Sequence, residues 1–179
     1  MGSASSLLLA STNGDLIKLE KVLKKRVNIE CVNKEGCSPL FLACRENHTE
    51  LILPLLNAQA DPNCPNAQGI TPLHISCELG HVEVVRHLLQ HKAKWKLLDP
   101  QSRPALIIAA MAGHALVVTE LLAAGAHADD MIRNKPGRTA LLLSAEKGQS
   151  TVVSALLKGG ANSSIKDDQG YTPLHKGAE

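Results

Sequence analysis

Aromatic side chains are almost absent from this 179-residue sequence, which contains one Trp, one Tyr and one Phe, or 2% of the chain. A hydrophobic core must therefore be built from Leu, Ile, Val and Ala. Such a core favours closely packed short helices over sheet, and we predict an all-α fold. The sequence also lacks any apolar run near the roughly 20 residues that span a bilayer, so no membrane insertion is expected.

An excess of charge of one sign is missing as well, because the formal net charge is only +2. Proteins that bind nucleic acid usually concentrate a basic surplus, so we expect no nucleic-acid partner. The five cysteines form no CxxC pair and accompany no secretion signal. These features favour a reduced intracellular compartment, and a cytoplasmic or nuclear location is expected.

Familiar catalytic motifs are missing too. The sequence contains no P-loop, GxSxG, HExxH or GxGxxG pattern, and each of these patterns marks a known way of positioning a nucleophile, a metal or a phosphate. We therefore expect no enzymatic activity, no catalytic residue and no cofactor.

What the sequence does contain is a repeat of about 33 residues. Two series of positions carry it, eleven residues apart, and each series has one interval of 35 instead of 33. The first series is Gly36, Gly69, Ser102, Gly137 and Gly170, and the second is Gly14, Asn47, Gly80, Gly113 and Gly148.

Each repeat has the same local chemistry. An Asn or Asp opens a four-residue turn that closes on the first glycine series, as in NKEG at 33–36, because the short side chain can bond its own backbone. A hydroxyl residue and a proline follow, as in Ser38-Pro39, and this pair predicts a helix start. A second helix with paired apolar residues such as Leu88-Leu89 comes after the second glycine series.

The order of turn, TPLH, helix, Gly-His and second helix resembles the ankyrin repeat, and TPLH occurs in full at Thr71–His74 and Thr172–His175. The resemblance covers essentially the whole chain and implies a solenoid of stacked helix-turn-helix units with β-hairpin-like finger loops. We expect one domain over 1–179, from a fragment of a longer protein. Its repeats are 3–35, 36–68, 69–101, 102–136, 137–169 and a partial repeat at 170–179. Departures are Pro104 in place of the hydroxyl cap, Ala140 in place of proline, and Asn47 in place of glycine.

Four potential metal ligands, His74, Cys77, Glu78 and His81, crowd the third repeat. Their repeat equivalents argue against a metal site. Apolar residues such as Phe41 stand at the position of His74, and small residues stand at that of Cys77. A zinc site needs about four convergent ligands, so we interpret these residues as scaffold and expect no metal.

The resemblance also implies where a partner would bind. Ankyrin repeats present a concave face of turn tips and exposed first-helix positions. Here that face combines apolar and basic residues, which suits a protein or peptide with hydrophobic and acidic determinants. We expect the chain to be an interaction scaffold and a monomer in isolation. Two alternatives stay open: a generic solvated surface, or a regulatory module that packs on an enzyme or channel domain absent from this chain. The candidate binding residues are Arg45, Ile70, Glu78, Leu79, Arg103, Met111, Met131, Ile132, Arg133, Lys135, Arg138, Lys147 and Tyr171.

The two extra residues of the longer repeat fall between Gly125 and Gly137. They predict a longer finger that presents Met131 and Ile132 to a ligand. The alternative is that these two side chains pack on the neighbouring finger.

Asn63 is a candidate hydroxylation site through the same resemblance. Ankyrin repeats that are substrates of the asparaginyl hydroxylase acting on hypoxia factors resemble a pattern with Leu eight residues before the target and an acid two residues before it. Leu55, Asp61 and Asn63 match this pattern. The alternative is an ordinary turn asparagine that bonds the backbone.

Overall fold

The computed structural model describes residues 3–25, 27–133 and 135–178, with only the main chain described for Ser3. The described ranges contain helices of 5 to 11 residues, and their extended contacts are isolated bridges between Leu98 and Pro104 and between Met131 and Thr139. The prediction of an all-α fold is confirmed. None of the described helices has the length and apolarity that a membrane crossing requires. The helices are α1 (Ser3–Asn13), α2 (Leu16–Leu23), α3 (Pro39–Arg45), α4 (Thr49–Asn57), α5 (Pro72–Leu79), α6 (Val82–Gln90), α7 (Ala105–Ala112), α8 (Ala115–Ala123), α9 (Ala140–Glu146), α10 (Ser150–Lys158) and α11 (Pro173–Gly177).

The helices belong to two compact units. The N-terminal unit lies within 1–76 and 83–94, and the C-terminal unit within 77–82 and 95–179. In the N-terminal unit α1 packs on α2 and α3, and α3 packs on α4. In the C-terminal unit α7 packs on α8 and α9, α10 packs on α8 and α9, and α11 packs on α9. Neighbouring helix pairs therefore stack on one another inside each unit.

Four of the five turns that the sequence predicts are formed in the described residues. Asn33 Oδ1 accepts the backbone N–H groups of Glu35 and Cys37, both at 2.9 Å. Asn66, Asp99 and Asp167 accept the equivalent pairs of N–H groups at 2.8 to 3.0 Å. The residue that opens the remaining turn, Asn134, lies outside the described residues. One short side chain thus satisfies two backbone donors of the turn, which fixes where the next helix begins.

Hydroxyl caps begin the first helix of most repeats. Ser38 Oγ accepts the Phe41 N–H at 3.2 Å, and Thr139 Oγ1 accepts the Leu142 N–H at 3.2 Å. Pro104 has the same extended backbone, with φ −73° and ψ 162°, but it forms no side-chain cap bond. The helix that follows it, α7, is nevertheless buried from Ala105 to Ala110. Burial of its Leu and Ile side chains, at about 1.5–3 kcal/mol each, outweighs a missing cap of about 1 kcal/mol.

Polar side chains also link one repeat to the next. His48 Nε2 lies 2.9 Å from the carbonyl oxygen of Thr12, and His114 Nε2 lies 2.9 Å from that of Glu78. Since a carbonyl only accepts, each Nε2 carries the proton. Gln149 Nε2 donates in the same way to the Met111 carbonyl at 3.3 Å. The last carbonyls of a helix lack partners within that helix, and here the following repeat supplies them.

Candidate protein-interaction surface

Two of the four potential metal ligands in the third repeat, His74 and Cys77, have structural roles. His74 is 2% exposed, its Nδ1 accepts the Thr71 N–H at 3.3 Å, and its own N–H is donated to Thr71 Oγ1 at 3.3 Å. This reciprocal cap fixes the start of α5. Cys77 is fully buried, and desolvation raises its pKa strongly. Among the residues that the structure describes, no group of three or more His, Cys, Asp or Glu side chains is arranged to hold a metal ion.

The ends of α5 and α7 carry three of the candidate binding residues, and a fourth, Lys147, follows α9. Leu79 is 44% exposed, and Glu78 is exposed beside it. Met111 is half-buried, and its carbonyl accepts Lys147 Nζ at 2.8 Å. A cation at the carboxyl end of a helix interacts favourably with the helix dipole, so Lys147 links α7 to the following repeat and its charge is partly committed within the chain.

Three of the four candidate arginines contact an acid of this chain. Arg45, in the N-terminal unit, bonds Glu35 at 3.2 Å and Glu46 at 2.9 Å. In the C-terminal unit, Arg103 Nη2 lies 2.6 Å from the fully buried carboxylate of Asp99, and Arg138 lies 3.1 Å from Glu146. The role of these three arginines in binding a partner stays a prediction. Their guanidinium groups neutralise carboxylates of this chain that lie in turns and at helix ends.

The longer finger presents only one of its two apolar residues. Met131 forms a bridge with Thr139 and is 39% exposed, whereas Ile132 is only 8% exposed. The prediction that Ile132 is presented to a ligand is therefore wrong. Neighbouring residues in extended chain point to opposite sides, so when Met131 faces outward Ile132 must turn inward.

Two cations follow Met131 on this finger. Arg133 and Lys135 are both exposed, and neither forms an ion pair with any residue that the structure describes. The backbone N–H of Arg133 donates to the Ser102 carbonyl at 3.2 Å, which joins this finger to the preceding one. A Cβ atom at Gly137 would clash with the Lys166 carbonyl. The finger is therefore fixed on both sides while its charged side chains stay exposed.

Tyr171 follows the turn of the last repeat and is 37% exposed. Lys176 Nζ lies 4.2 Å from the centre of its ring, and the His175 ring meets it edge-on at 6.3 Å. Ile70, at the equivalent position in the N-terminal unit, is half-buried against Cys37, Phe41 and Leu42. Tyr171 is thus the more accessible of the two.

The side chain of Asn63 is occupied by backbone bonds. Its Oδ1 accepts the Lys94 N–H at 2.7 Å, and its Nδ2 donates to the Lys92 carbonyl at 3.3 Å. Glu30 and Asp129 form the equivalent link by accepting the N–H groups of Asp61 and Asn162, both at 2.8 Å. These bonds give Asn63 a structural role between repeats. Hydroxylation at this position stays a prediction.

The link between repeats that Glu30, Asn63 and Asp129 form is replaced by a different contact at one junction. Lys96 stands at the equivalent position and offers no acceptor. Beside it, the Trp95 ring meets the His127 ring edge-on, with 5.9 Å between their centres, and Lys96 Nζ lies 4.8 Å from the indole centre. An aromatic contact therefore takes the place of a hydrogen bond at this junction.

The helices, turns and caps define an all-α solenoid of helix-turn-helix repeats, a class whose units pack through their neighbours. The family model described as "Ankyrin repeats (3 copies)" matches residues 7–99, 46–132 and 106–179. The chain therefore belongs to the ankyrin-repeat family.

Two solved structures show the same fold. The crystal structure of EF0377, an ankyrin repeat protein, has 27% sequence identity and a TM-score of 0.89, and the match covers 99% of this chain and 92% of that one. The ankyrin repeat domain of Bcl-3, described as a unique member of the IkappaB protein family, has 24% identity and a TM-score of 0.87, with 96% and 78% covered. No curated protein matches the sequence. The ankyrin-repeat fold is a protein-interaction fold and not an enzymatic one.

Proposed function

We propose that this chain is a non-enzymatic interaction module that recognises a protein or peptide segment through the finger loops and first-helix ends of its C-terminal unit. The observation that carries the proposal is the longer finger, whose fixed backbone presents an exposed methionine and two exposed cations. The binding residues there are Met131, Arg133 and Lys135, joined by Leu79 and Met111 on the helix ends and by Tyr171 on the last finger.

The chemistry of these residues specifies the ligand. Met, Tyr and Arg are enriched in protein interfaces, and flexible Met side chains adapt to varied apolar partners. Because Arg103 and Arg138 already contact Asp99 and Glu146, the charge available to a partner comes mainly from Arg133 and Lys135. The expected ligand is a segment with one or two apolar anchors and a nearby cluster of Asp or Glu.

The cysteines fit a reducing compartment. None of the five forms a disulfide bond within the part of the chain that the structure describes, as expected for a protein that works in such a compartment. We extend the proposal to a cytoplasmic or nuclear location.

A peptide selection tests the proposal. Peptides would be selected from a phage-displayed library on the immobilised chain, and their affinities measured by fluorescence anisotropy. The selected peptides are expected to combine acidic and apolar residues. Arg133→Glu/Lys135→Glu should weaken binding at least about tenfold, or about 1.4 kcal/mol, and added salt should weaken binding to the parent.

The matched control is Lys21→Glu/Lys25→Glu, which makes the same change in net charge at exposed positions of the N-terminal unit. It should change affinity less than about twofold. Selected peptides without acidic residues, or equal losses in the two variants, would contradict the proposed site.

A further inference from the structure

Ser102 adopts a backbone conformation that the other repeats give to glycine. It closes its turn with φ +61°, whereas Gly36, Gly69, Gly137 and Gly170 close theirs with φ between +72° and +84°. Left-handed backbone is open to glycine but is disfavoured for a residue with a Cβ atom. Serine therefore makes the fold less stable than glycine would at this position, and residues held in such conformations cluster at binding sites.

The next finger meets Ser102 differently from the way in which fingers meet glycine. A Cβ atom on Gly36 would lie 2.5 Å from the backbone nitrogen of Ala67, and the Ala67 N–H donates to the Glu35 carbonyl at 3.1 Å. That finger packs directly on the glycine and bonds the residue before it. At Ser102 the bond moves by one residue, and the Arg133 N–H donates to the Ser102 carbonyl itself at 3.2 Å. The longer finger thus accommodates a side chain where the finger after Gly36 has no room for one.

Ser102 adjoins the finger site, which comprises Met131, Arg133 and Lys135. Ser102 is half-buried, and its hydroxyl forms no hydrogen bond with any residue that the structure describes. Its bond to the Arg133 N–H holds it next to one of the two cations that no described acid pairs. A carboxylate has two oxygens and accepts several hydrogen bonds, so a guanidinium and a hydroxyl can share one carboxylate.

We propose that Ser102 is a ligand-binding residue, whose hydroxyl donates a hydrogen bond to an Asp or Glu side chain that Arg133 holds. The inference rests on the finger site proposed above and adds a selective contact to it. The cations attract any acidic segment, whereas a hydroxyl on a fixed backbone bonds only a carboxylate at the right distance and angle. Glycine would relieve the strain but could not make this bond.

Two substitutions separate the hydroxyl from the strained backbone. Ser102→Ala removes only the oxygen, and Ser102→Gly removes both the oxygen and the strain. Each should weaken binding of the tightest acidic peptide from the selection above by about tenfold in fluorescence anisotropy, as expected for losing a hydrogen bond to a charged group. In urea unfolding, Ser102→Gly should raise the midpoint and Ser102→Ala should leave it near that of the parent. A purely structural residue would lose affinity and stability together.

Variants of the peptide identify the group that the hydroxyl bonds. Each Asp or Glu of the peptide is replaced in turn by Ala, and for one of these peptides Ser102→Ala should cause no further loss of affinity. The matched control is Gly69→Ser, which introduces the same side chain at φ +81° in the N-terminal unit. It should lower the urea midpoint and change affinity less than about twofold.

The outcomes separate this inference from the finger site itself. Ser102→Ala binding within about twofold of the parent would overturn the inference, while a loss of about tenfold in Arg133→Glu/Lys135→Glu would leave the finger site standing. An equal loss in Ser102→Ala for every alanine-substituted peptide would also overturn it, because the hydroxyl would then bond no ligand carboxylate. If the selection yields no acidic peptides, both proposals fail together. Ser102→Gly carries the binding test if Ser102→Ala misfolds, since four other turns close on glycine.

Discussion

Replacing Gly80 with Ala tests how closely two repeats pack. Gly80 ends the segment after α5 with φ +77°, and a Cβ atom there would lie 2.6 Å from Nδ1 of His114. An alanine in this left-handed conformation costs roughly 1–2 kcal/mol. The imidazole must also move away, and its 2.9 Å bond to the Glu78 carbonyl is then lost, at a further cost of about 1 kcal/mol or more. We expect Gly80→Ala to lower the free energy of unfolding by about 2–4 kcal/mol.

The matched control is Gly148, which occupies the same repeat position with φ +66°. No described atom lies within 4 Å of the place that an added methyl group would take there. Gly148→Ala should cost only the conformational term of roughly 1–2 kcal/mol. Both values come from urea unfolding followed by circular dichroism, with equal m-values required. In the double variant Gly80→Ala/His114→Ala the two effects should be less than additive. Equal losses for Gly80→Ala and Gly148→Ala would refute the packing argument.

Three further predictions follow from contacts described above. Asn63→Ala should destabilise the chain by about 1–3 kcal/mol in urea unfolding, because it leaves the Lys94 N–H and the Lys92 carbonyl without their partner. The hydroxylation prediction has its own test: mass spectrometry showing no added oxygen on Asn63 after incubation with the asparaginyl hydroxylase would reject it. Burial raises the pKa of Cys44 to about 12 and that of Cys77 further. At pH 8 only about one Cys44 in ten thousand is therefore a reactive thiolate. Iodoacetamide should label Cys31 and Cys64 first, and rapid labelling of Cys44 in the folded chain would contradict this order. Pro104→Thr/Ala105→Pro should raise stability by about 1 kcal/mol by supplying the missing cap, which calorimetry would report as a higher Tm, and an unchanged or lower Tm would show that Pro104 already fixes this turn.

The periodic part of this fold could be read from the sequence because it depends on local chemistry. Asn33 and Asn66 bond the turn N–H groups next to them, and Ser38 caps the helix that begins one residue later. Such bonds span two to four residues, so the sequence motif contains both partners. The structural role of His74 could be predicted for a related reason, since Phe41 at the equivalent position shows that the site accepts an apolar side chain.

The candidate surface was harder to predict because it depends on direction and on distant partners. The sequence placed Met131 and Ile132 on one finger, but the alternation of extended chain turns one outward and the other inward. Alternation was the signal that could have separated them. Arg138 meets Glu146 across a turn and a helix, and only the folded geometry shows that this acid, and not a ligand, receives the guanidinium.

The contact between Trp95 and His127 gives the chain a built-in optical probe. Trp95 is the only tryptophan, so its fluorescence reports the junction between the third and fourth repeats, whereas circular dichroism at 222 nm averages over every helix. Repeat arrays can unfold in one cooperative step or lose repeats separately. Coincident fluorescence and dichroism transitions would show that this junction opens together with the helices, and an earlier fluorescence transition would identify it as the place where the array first comes apart.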